Sequence, residues 1–519
     1  MTALIHSSRI ADRQPVLVGV GQVTQREPDP RAAMGPLDLM AAAAKAAAAD
    51  SGAGDGLLQA LDQLTVIRLF ADTSPRFVSP FGKQTNPPLS VARRIGAAAV
   101  RQHVYTWPGG NMPQYCLNRL GEAITRGEVD AALVVGAEAL ATQKAAQRQG
   151  VALDWADDPG GSHATWGVQR RGWSDLEDRH GARAAITMYP MFEHAIRGRL
   201  GRSVADHQAA MGTLLARFAA VAAANPLADR RGSYSAETIA TPAPDNKFIA
   251  HPYTRLMSAN AFIDQGAAFI VTSVAKARTL GIAPDRWVYL HGCADGHDHW
   301  HVTERRDLHS SPAMQRVFAQ AFDMAGCTLA DIGVLDIYSC FASAVEVACD
   351  ALGLAQDDPR GLTVTGGLPY FGGPGNNYVT HSIAEMVQRV RAQPGIKGLV
   401  TANGNYLTKH SAGIYSTEPP ARPFAPADPA LLQAELDAIP HPPLVDLAAG
   451  SASVESYTVS HDGKGPVNAV VIGRLDDGSR FIANTPPDAA LWQAMQTEDF
   501  LGRRGRVQHD GRINRFSPG

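Results

Sequence analysis

The chain has 519 residues, of which 45% are hydrophobic and 19% charged, a composition that excludes a disordered chain and indicates globular domains. Its length exceeds what a single hydrophobic core supports, so we expect several domains. The formal net charge of −3 provides no basic surface, and no apolar stretch reaches the ~18 residues of a membrane span, so neither nucleic-acid binding nor a membrane span is expected.

The first predicted elements alternate between buried strands and helices. Short apolar runs at residues 15–21 (PVLVGVG), 64–70 (LTVIRLF) and 131–136 (AALVVG) predict strands covered on both faces. Helical stretches at residues 37–49 and 113–126 stand between them. This alternation predicts an α/β architecture.

The second half of the chain repeats this order. Strands are predicted at residues 287–292 and 334–338, with a helix at 313–325 between them. Within the halves, the turn 109–111, its helix and its strand resemble the turn 372–377 and the helix and strand that follow it. The repetition predicts two copies of one α/β unit.

Two further regions flank the second copy. Residues 166–251 are mostly helical, with the longest periodic run at 204–224, and are interpreted as an inserted cap. A proline-rich passage after Ser416 predicts a linker, and the short alternating strands beyond it predict a small β-barrel of the OB type. The predicted domains are residues 1–145, 146–255, 256–417, 418–450 and 451–519.

Six segments carry glycine-rich and polar motifs in a fixed order: residues 118–140, 225–239, 251–273, 335–345, 365–377 and 401–416. They resemble the thiolase superfamily, in its SCP2-thiolase-like branch, and the thiolase-like proteins of type 1 that carry an additional C-terminal domain. The resemblance implies a duplicated thiolase fold, with two βαβαβ halves in five α/β/α/β/α layers. It also implies a helical loop domain over a coenzyme A thioester pocket, with coenzyme A as part of the substrate, a role in lipid metabolism and no separate cofactor.

The reactive positions of that family are substituted in this chain. The family places its nucleophilic cysteine at a helix N-terminus, where the helix dipole favours the thiolate, and that position falls on Gly110. The nearest thiol, Cys116, lies six residues further on and is expected to be buried inside the helix. Tyr338 stands where the family has the residue that orients water. It is either a general acid or base, or a packed tyrosine with a polar hydroxyl.

The two remaining family motifs have also changed. The histidine of the Gly-His-Pro motif has become Gly373, and the motif that supplies the second cysteine reads as residues 401–405. The resemblance therefore implies a pocket in which Gly110, Asn111, Gly373 and Gly404 bind substrate through backbone N–H groups. Asn403, Tyr406, Lys409 and His410 surround it. The catalytic candidates are Tyr338, Asn403 and His410, with His410 as proton acceptor or as an ordinary structural histidine.

Other patterns in the sequence bear on metal, disulfide and nucleotide sites. The alternating histidines at 291, 297, 299 and 301 suit a metal site, but they define no closed ligand set, so no metal is expected. Five widely spaced cysteines without a CxxC pair indicate free thiols in a reducing, cytoplasmic environment. No dinucleotide or P-loop motif occurs.

Three functions remain open at this point. The first is an enzyme of acyl-CoA thioesters that makes or breaks a C–C bond by a retro-aldol or retro-Claisen route. The second is a catalytically silent acyl-CoA-binding or scaffold protein. The third is an acetyl-CoA acetyltransferase whose nucleophile has moved. The chain is expected to be either a monomer or a homodimer.

Overall fold

The computed structural model of the chain describes residues 10–519, so the first nine residues of the predicted domain 1–145 lie outside the described range. The strands are β1 (Pro15–Thr24), β2 (Gln63–Val66), β3 (Gln102–Thr106), β4 (Ala131–Ala139), β5 (Ala164–Trp166), β6 (Phe248–His251), β7 (Tyr253–Thr254), β8 (Asp264–Ser273), β9 (Val288–His297), β10 (Ile332–Asp336), β11 (Lys397–Gly404), β12 (Lys409–Ser416), β13 (Gly450–His461), β14 (Pro466–Leu475), β15 (Arg480–Asn484), β16 (Arg504–His509) and β17 (Asn514–Pro518). The α-helices are α1 (Pro36–Asp50), α2 (Asp55–Gln59), α3 (Pro87–Arg94), α4 (Met112–Arg126), α5 (Leu140–Gln149), α6 (Asp175–Arg179), α7 (Ala185–Arg199), α8 (Val204–Ala224), α9 (Ala236–Ala240), α10 (Val274–Thr279), α11 (Pro312–Ala325), α12 (Ala342–Leu352), α13 (Gly367–Tyr370), α14 (Tyr378–Ala392), α15 (Pro429–Asp437) and α16 (Ala489–Thr497). None of the described helices has the length and apolar character needed to cross a bilayer.

Ten strands form one sheet in the order β10-β11-β12-β9-β1-β8-β4-β2-β3-β5. Its two halves meet at a short junction between β1 and β9, where Val16 pairs with Tyr289 and Leu17 with Val288. Strands β4 and β8 are buried along their whole length, which explains their continuous apolar and small-residue sequences.

Helices pack on both faces of this sheet and produce five layers. Helices α4 and α14 lie between the two halves, since each contacts strands of both. Helices α1 and α3 cover the outer face of the first half. Helix α11 covers that of the second half, and α12 packs against α11. The duplicated five-layered thiolase fold predicted from the sequence is confirmed. It places the N-termini of α4 and α14 together in the interior.

The C-terminal strands form a closed five-stranded barrel in the order β13-β14-β15-β17-β16, with β16 returning to β13. The predicted small β-barrel is therefore confirmed. The β6–β7 hairpin, which precedes the second half of the core in sequence, extends this sheet through the pairs Val459 to His251 and Ser460 to Ala250. Arg480 is fully buried and donates hydrogen bonds to the carbonyl oxygens of Thr303 and Arg306, which fixes the barrel to the core.

Two local predictions differ from the structure. The predicted strand 64–70 ends at Val66, because the buried carboxylate of Glu138 accepts the Phe70 N–H at 2.7 Å and the chain leaves the sheet. Part of the predicted linker 418–450 is helical. Helix α15 starts with Asp428 as N-cap and Pro429 in the first turn, where the N–H that proline lacks would have no partner within the helix.

Candidate active site

The turn before α4 forms one wall of the site. Gly109 has φ +156°, and its N–H donates to Asn376 Oδ1 at 2.9 Å, which ties this turn to the equivalent turn of the second half. A Cβ on Gly110 would overlap the hydroxyl oxygen of Tyr338 and lie 2.6 Å from the carbonyl oxygen of Asn403. Only glycine fits at position 110 with these neighbours in place.

Tyr338 follows β10 and reaches into the layer of α4 and α14. Its N–H donates to Thr401 Oγ1 at 3.0 Å, and its ring meets the ring of Tyr378, at the start of α14, edge-on at 5.7 Å. Burial, with smaller contributions from Cys340 and Tyr378, raises the pKa of Tyr338 well above its ordinary value. The hydroxyl therefore stays protonated and is a hydrogen-bond donor, with no acceptor among residues 10–519.

The β11–β12 hairpin forms the opposite wall. In its register Asn403 pairs with His410 and Gly404 with Lys409. Because side chains alternate along a strand, Lys409 and His410 point to opposite faces of the sheet. The turn of this hairpin holds three successive non-glycine residues in the left-handed region: Asn405, Tyr406 and Leu407, with φ of 48°, 49° and 59°. Such strain concentrates at functional sites.

Lys409 points towards α4. It is 5% exposed, its ammonium group donates to the Pro108 carbonyl oxygen, and its Nζ lies 2.5 Å from where a Cβ on Gly109 would stand. Burial lowers the pKa of Lys409 to about 7. Two strand positions further, Ser411 accepts a hydrogen bond from Asn111 Nδ2 at 3.3 Å. The face of β12 that meets α4 therefore carries a buried amine beside Gly109 and Asn111.

His410 points to the other face, towards α11. Its Nε2 lies 3.2 Å from Asp298 Oδ2, 3.0 Å from the Leu407 carbonyl oxygen and 3.3 Å from the hydroxyl of Ser311, the N-cap of α11. These contacts fix the β11–β12 turn to the outer helix layer. The structure thus does not bring His410 to Gly110.

Asn403 approaches the turn at Gly110 through its backbone, while its side chain lies on the same face of the hairpin as that of His410. Its carbonyl oxygen approaches Gly110, while its Nδ2 donates to the Tyr189 hydroxyl at 3.0 Å. The Tyr189 ring stacks on Phe341 at 4.6 Å. The structure therefore brings Gly110, Asn111, Tyr338, Asn403 and Gly404 together.

Gly373 has different surroundings from these five residues. A Cβ there would meet the Leu368 side chain at 3.3 Å and the Asn260 carbonyl oxygen at 3.6 Å. Position 373 thus has more room for a side chain than position 110. Sequence reasoning grouped Lys409 with the surrounding polar residues and preferred His410, because the register that separates their faces is not visible in one sequence.

The thiols near the site are buried. Cys116 is 0% exposed inside α4, and burial raises its pKa. Burial also raises the pKa of Cys340 to about 12, and its sulfur lies 4.0 Å from Asn403 Nδ2. Neither thiol is present as a thiolate near neutral pH.

The histidines considered as metal ligands have separate partners. Nε2 of His291 contacts the Glu418 carbonyl oxygen, and Nε2 of His299 contacts that of Ile439, both at 2.7–2.8 Å. Within residues 10–519, three side chains do cluster with ligand atoms within 4.8 Å of one another: Glu193, His207 and Glu346. His207 Nε2 lies 2.6 Å from Glu193 Oε1, and Tyr253 donates to the other oxygen of Glu193. Hydrogen bonds account for this glutamate without a metal.

A cavity of about 420 Å³ lies in the helical region before the second half of the core. Two arginines, Arg230 and Arg255, line it together with Tyr234, Asn246, Glu237 and Asp245. Arg230 Nη1 donates to the Pro369 carbonyl oxygen at 3.0 Å, three residues before Gly372. The cavity therefore adjoins the segment that leads to the second glycine turn.

Two parts of the chain match described families. Residues 431–512 match the thiolase-like protein type 1 additional C-terminal domain, and residues 294–373 match the thiolase C-terminal domain-like family. The chain is also similar to a 3-ketoacyl-CoA thiolase of Salmonella heidelberg (strain SL476), with 29% identity over 199 residues, or 34% of this chain and 43% of that protein. The chain spans less than half of the length of that curated relative.

Solved structures with this fold cover more of the chain. The crystal structure of a monomeric SCP2-thiolase like protein type 1 from Mycobacterium smegmatis is 38% identical, with a TM-score of 0.84 over 98% of this chain and 100% of that one. An Ltp2-ChsH2(DUF35) aldolase shares the fold at 20% identity, with a TM-score of 0.56 over 78% of this chain and 98% of that one.

Proposed function

The chain belongs to the SCP2-thiolase-like proteins of type 1, and from this membership we propose that it makes or breaks a C–C bond in an acyl-CoA thioester without an acyl-enzyme. The observation that carries the proposal is the contact between Gly110 and Tyr338. Residue 110 stands where the family resemblance implies a thiol, and here a Cβ at that position would overlap the Tyr338 hydroxyl. A retro-aldol route needs donors that stabilise the thioester enolate and no nucleophile. A retro-Claisen route without an acyl-enzyme would need water or free coenzyme A to attack the β-carbonyl and accept the acyl group.

Donors for such an enolate stand at the start of α4. The N–H groups of Gly110 and Asn111 have no acceptor among residues 10–519, and the helix dipole favours negative charge there. The protonated Tyr338 hydroxyl is a third donor. Donors held in a buried site stabilise a developing oxyanion strongly, since they need no reorganisation. Tyr338 is thus proposed as catalytic, and Gly110 and Asn111 as the backbone that binds the thioester oxygen.

The other proposed site residues have supporting roles. Asn403 presses its carbonyl oxygen against Gly110 and so fixes the turn, and Gly404 permits close approach of Asn111, whose Oδ1 would lie 2.7 Å from a Cβ at 404. Gly373 leaves space at the second turn for the acyl portion. His410 is proposed as a positioning residue, because its contacts hold the hairpin that carries Asn403 and Gly404.

Coenzyme A has a suitable place near the second turn. Arg230 and Arg255 line the cavity of about 420 Å³, and burial together with the charge of Arg255 lowers the pKa of Arg230. The two neighbouring guanidinium groups offer charge-assisted hydrogen bonds to an anionic ligand, while Glu237 and Asp245 of the same lining offset part of their charge. We assign this cavity to the phosphate end of coenzyme A.

The strand order of the barrel, with α16 between β15 and β16 in the chain, supports an OB-type domain. A monomer is proposed by analogy with the 38%-identical relative.

A relocated nucleophile has less support. Cys116 and Cys340 are the thiols nearest the site, and burial disfavours the thiolate of both. An acetyltransferase that forms an acyl-enzyme would need one of them to become exposed. A covalent acyl adduct on either cysteine is the result that would favour this alternative.

The test is incubation of the purified chain with acyl-CoA, β-hydroxyacyl-CoA and β-ketoacyl-CoA thioesters, with released products and intact protein mass followed together. We expect cleavage without a mass adduct and a loss of about 10²–10³-fold in kcat for Tyr338→Phe. Tyr289, a buried tyrosine on β9 whose side chain packs in the hydrophobic cluster that includes α1, is the matched control, and Tyr289→Phe should retain the rate. Binding without cleavage would refute the lyase and favour the acyl-CoA-binding protein.

A further inference from the structure

Lys409 is a buried amine without a counter-ion. Lys409 is 5% exposed. Among the residues that the structure describes, no carboxylate oxygen lies within 4.0 Å of its Nζ. Its one hydrogen bond goes to the Pro108 carbonyl oxygen, and Trp300 presents its ring 5.9 Å from Nζ. Burial lowers the pKa of this amine to about 7, so about half of it is neutral at pH 7 and its lone pair can then accept a proton.

Asn111 presents an unused acceptor to the same place. Its Nδ2 donates to Ser411, whereas its Oδ1 is buried and has no partner among residues 10–519. This oxygen lies 2.7 Å, and Lys409 Nζ 2.5 Å, from the point where a Cβ on Gly109 would stand. The two atoms are therefore separated by no more than about two hydrogen-bond lengths. A buried acceptor left without a donor costs about 1–3 kcal/mol, which a bound group could recover.

The chemistry of these atoms selects the group that fits between them. Asn111 Oδ1 only accepts, so the ligand must donate a hydrogen bond. The Lys409 amine donates and, when neutral, also accepts. A hydroxyl satisfies both, because it donates one hydrogen bond and accepts others, whereas a ketone or thioester oxygen cannot donate to Asn111.

We infer that Asn111 and Lys409 bind a substrate hydroxyl, so that the acyl-CoA substrate is a β-hydroxyacyl thioester and Lys409 Nζ accepts its hydroxyl proton. The inference rests on the proposed C–C bond chemistry at Gly110. In cleavage, the O–H pair becomes the new C=O bond, and the Cα–Cβ pair moves into the thioester enolate held by Tyr338. The ammonium of Lys409 then returns the proton to the enolate carbon. The products are a shorter acyl-CoA and an aldehyde or ketone.

This division of roles follows from the faces of the hairpin. Tyr338 stays protonated and so donates, and His410 points away towards α11. Lys409 is the basic group that shares the α4 face with Asn111. The sequence alone favours His410 as the proton acceptor. His410 is the next residue in the strand, and its side chain lies on the opposite face, towards α11.

The test measures binding before turnover. Dissociation constants of 3-hydroxybutyryl-CoA and butyryl-CoA are compared for the unmodified chain, Lys409→Met and the exposed control Lys45→Met. We expect the hydroxylated thioester to bind at least ~10-fold more tightly to the unmodified chain and to Lys45→Met. In Lys409→Met the two affinities should fall within about 3-fold of each other. Asn111→Ala is a second variant with the same expected loss of preference, should Lys409→Met fail to fold.

Two results would overturn the inference: no preference for the hydroxyl in the unmodified chain, or a preference that survives in both variants. The proton transfer is tested separately with Lys409→Ala, which should lose cleavage activity. Added methylamine should raise the cleavage rate of Lys409→Ala at least ~10-fold and should not raise that of Tyr338→Phe. Cleavage at the full rate by Lys409→Ala would refute Lys409 as the proton acceptor. Hydroxyl preference without any cleavage would instead remove the lyase function and leave the hydroxyl site standing.

Discussion

The hydroxyl oxygen of Tyr338 lies so close to Gly110 that a Cβ at position 110 would overlap it. The tyrosine is 8% exposed, and its ring is held edge-on against Tyr378 of α14. One residue therefore both excludes a side-chain nucleophile from the α4 turn and supplies a proton donor to the same spot. A change at either residue alters the space available to the other.

This contact predicts the cost of a side chain at position 110. Gly110→Ala should lower the free energy of unfolding by about 1–3 kcal/mol, because the new methyl group overlaps atoms of Tyr338 and Asn403. Urea denaturation measures the change. Gly56→Ala, where nothing lies within 4 Å of a new Cβ, is the control and should be neutral or slightly stabilising. Equal costs at both glycines would contradict the packing argument.

Lys409 gives the stability a definite pH dependence. Its folded-state pKa of about 7 lies below the ~10.4 of an unfolded lysine, so the unfolded state binds more protons between these values. The penalty is therefore complete below pH 7 and fades as the pH rises towards 10. Lys409→Met should raise the free energy of unfolding at pH 6 by on the order of 3 kcal/mol, and by much less at pH 9.5.

The groups that face Lys409 leave this sign unchanged. His297, its partner on β9, has its pKa lowered by burial and stays neutral, and Asp295 on the same face has its pKa raised to about 6 by burial. Denaturation of Lys409→Met and of the exposed Lys45→Met at pH 6 and 9.5 measures the effect. A gain that is equal at both pH values, or equal in both variants, would refute a buried amine with a pKa lowered to about 7.

Thiol reactivity separates the buried cysteines from the accessible one. Of the five cysteines, Cys327 is partly exposed and the other four are buried. Brief treatment with iodoacetamide at pH 8 should modify Cys327 first, and the others only in denaturant, because alkylation requires an accessible thiolate. Peptide mass mapping reads the order. Early modification of Cys116 or Cys340 would revive the relocated nucleophile.

Arg480 should be the main anchor of the barrel. It is fully buried and pairs with Glu455 at 2.6 Å, besides its bonds to core carbonyl oxygens. Arg480→Met should cost about 3–5 kcal/mol, because it leaves buried acceptors unpaired. Arg474 is the other arginine that pairs with Glu455, and its own side chain is 28% exposed. Arg474→Met should therefore lower the free energy of unfolding by under ~1 kcal/mol. Similar unfolding midpoints for the two variants in urea would contradict this ranking.

Elements with local signals were predictable from the sequence. Helix α8 occupies residues 204–224 as predicted, because its periodic apolar face and Ser203 cap are local features. The β6–β7 hairpin was not assigned to the barrel, since its partner β13 lies some two hundred residues away and pairing across that separation leaves no local pattern. Helix α15 does not follow from its proline-rich surroundings, because proline usually ends a helix, although it is favoured in a first turn.

The candidate site was predictable in its glycines and less so in its side chains. The turn at Gly110 and the position of Tyr338 follow from motif order, and the structure brings the two together. Which of Lys409 and His410 faces that turn depends on the register of β11 with β12, and a one-residue shift would exchange them. The residue proposed to accept the proton is therefore one that a single sequence leaves undecided.

The pairing of β6 with β13 also bears on how this protein can be trimmed or divided. A C-terminal domain without contacts to the core could be removed without affecting it. Here, removal of the barrel would take away β13, the strand that pairs with β6 of the β6–β7 hairpin. The bared backbone would present unpaired N–H and C=O groups along that strand, the kind of surface through which proteins associate edge to edge. Shortened chains ending near residue 447 would thus be prone to self-association.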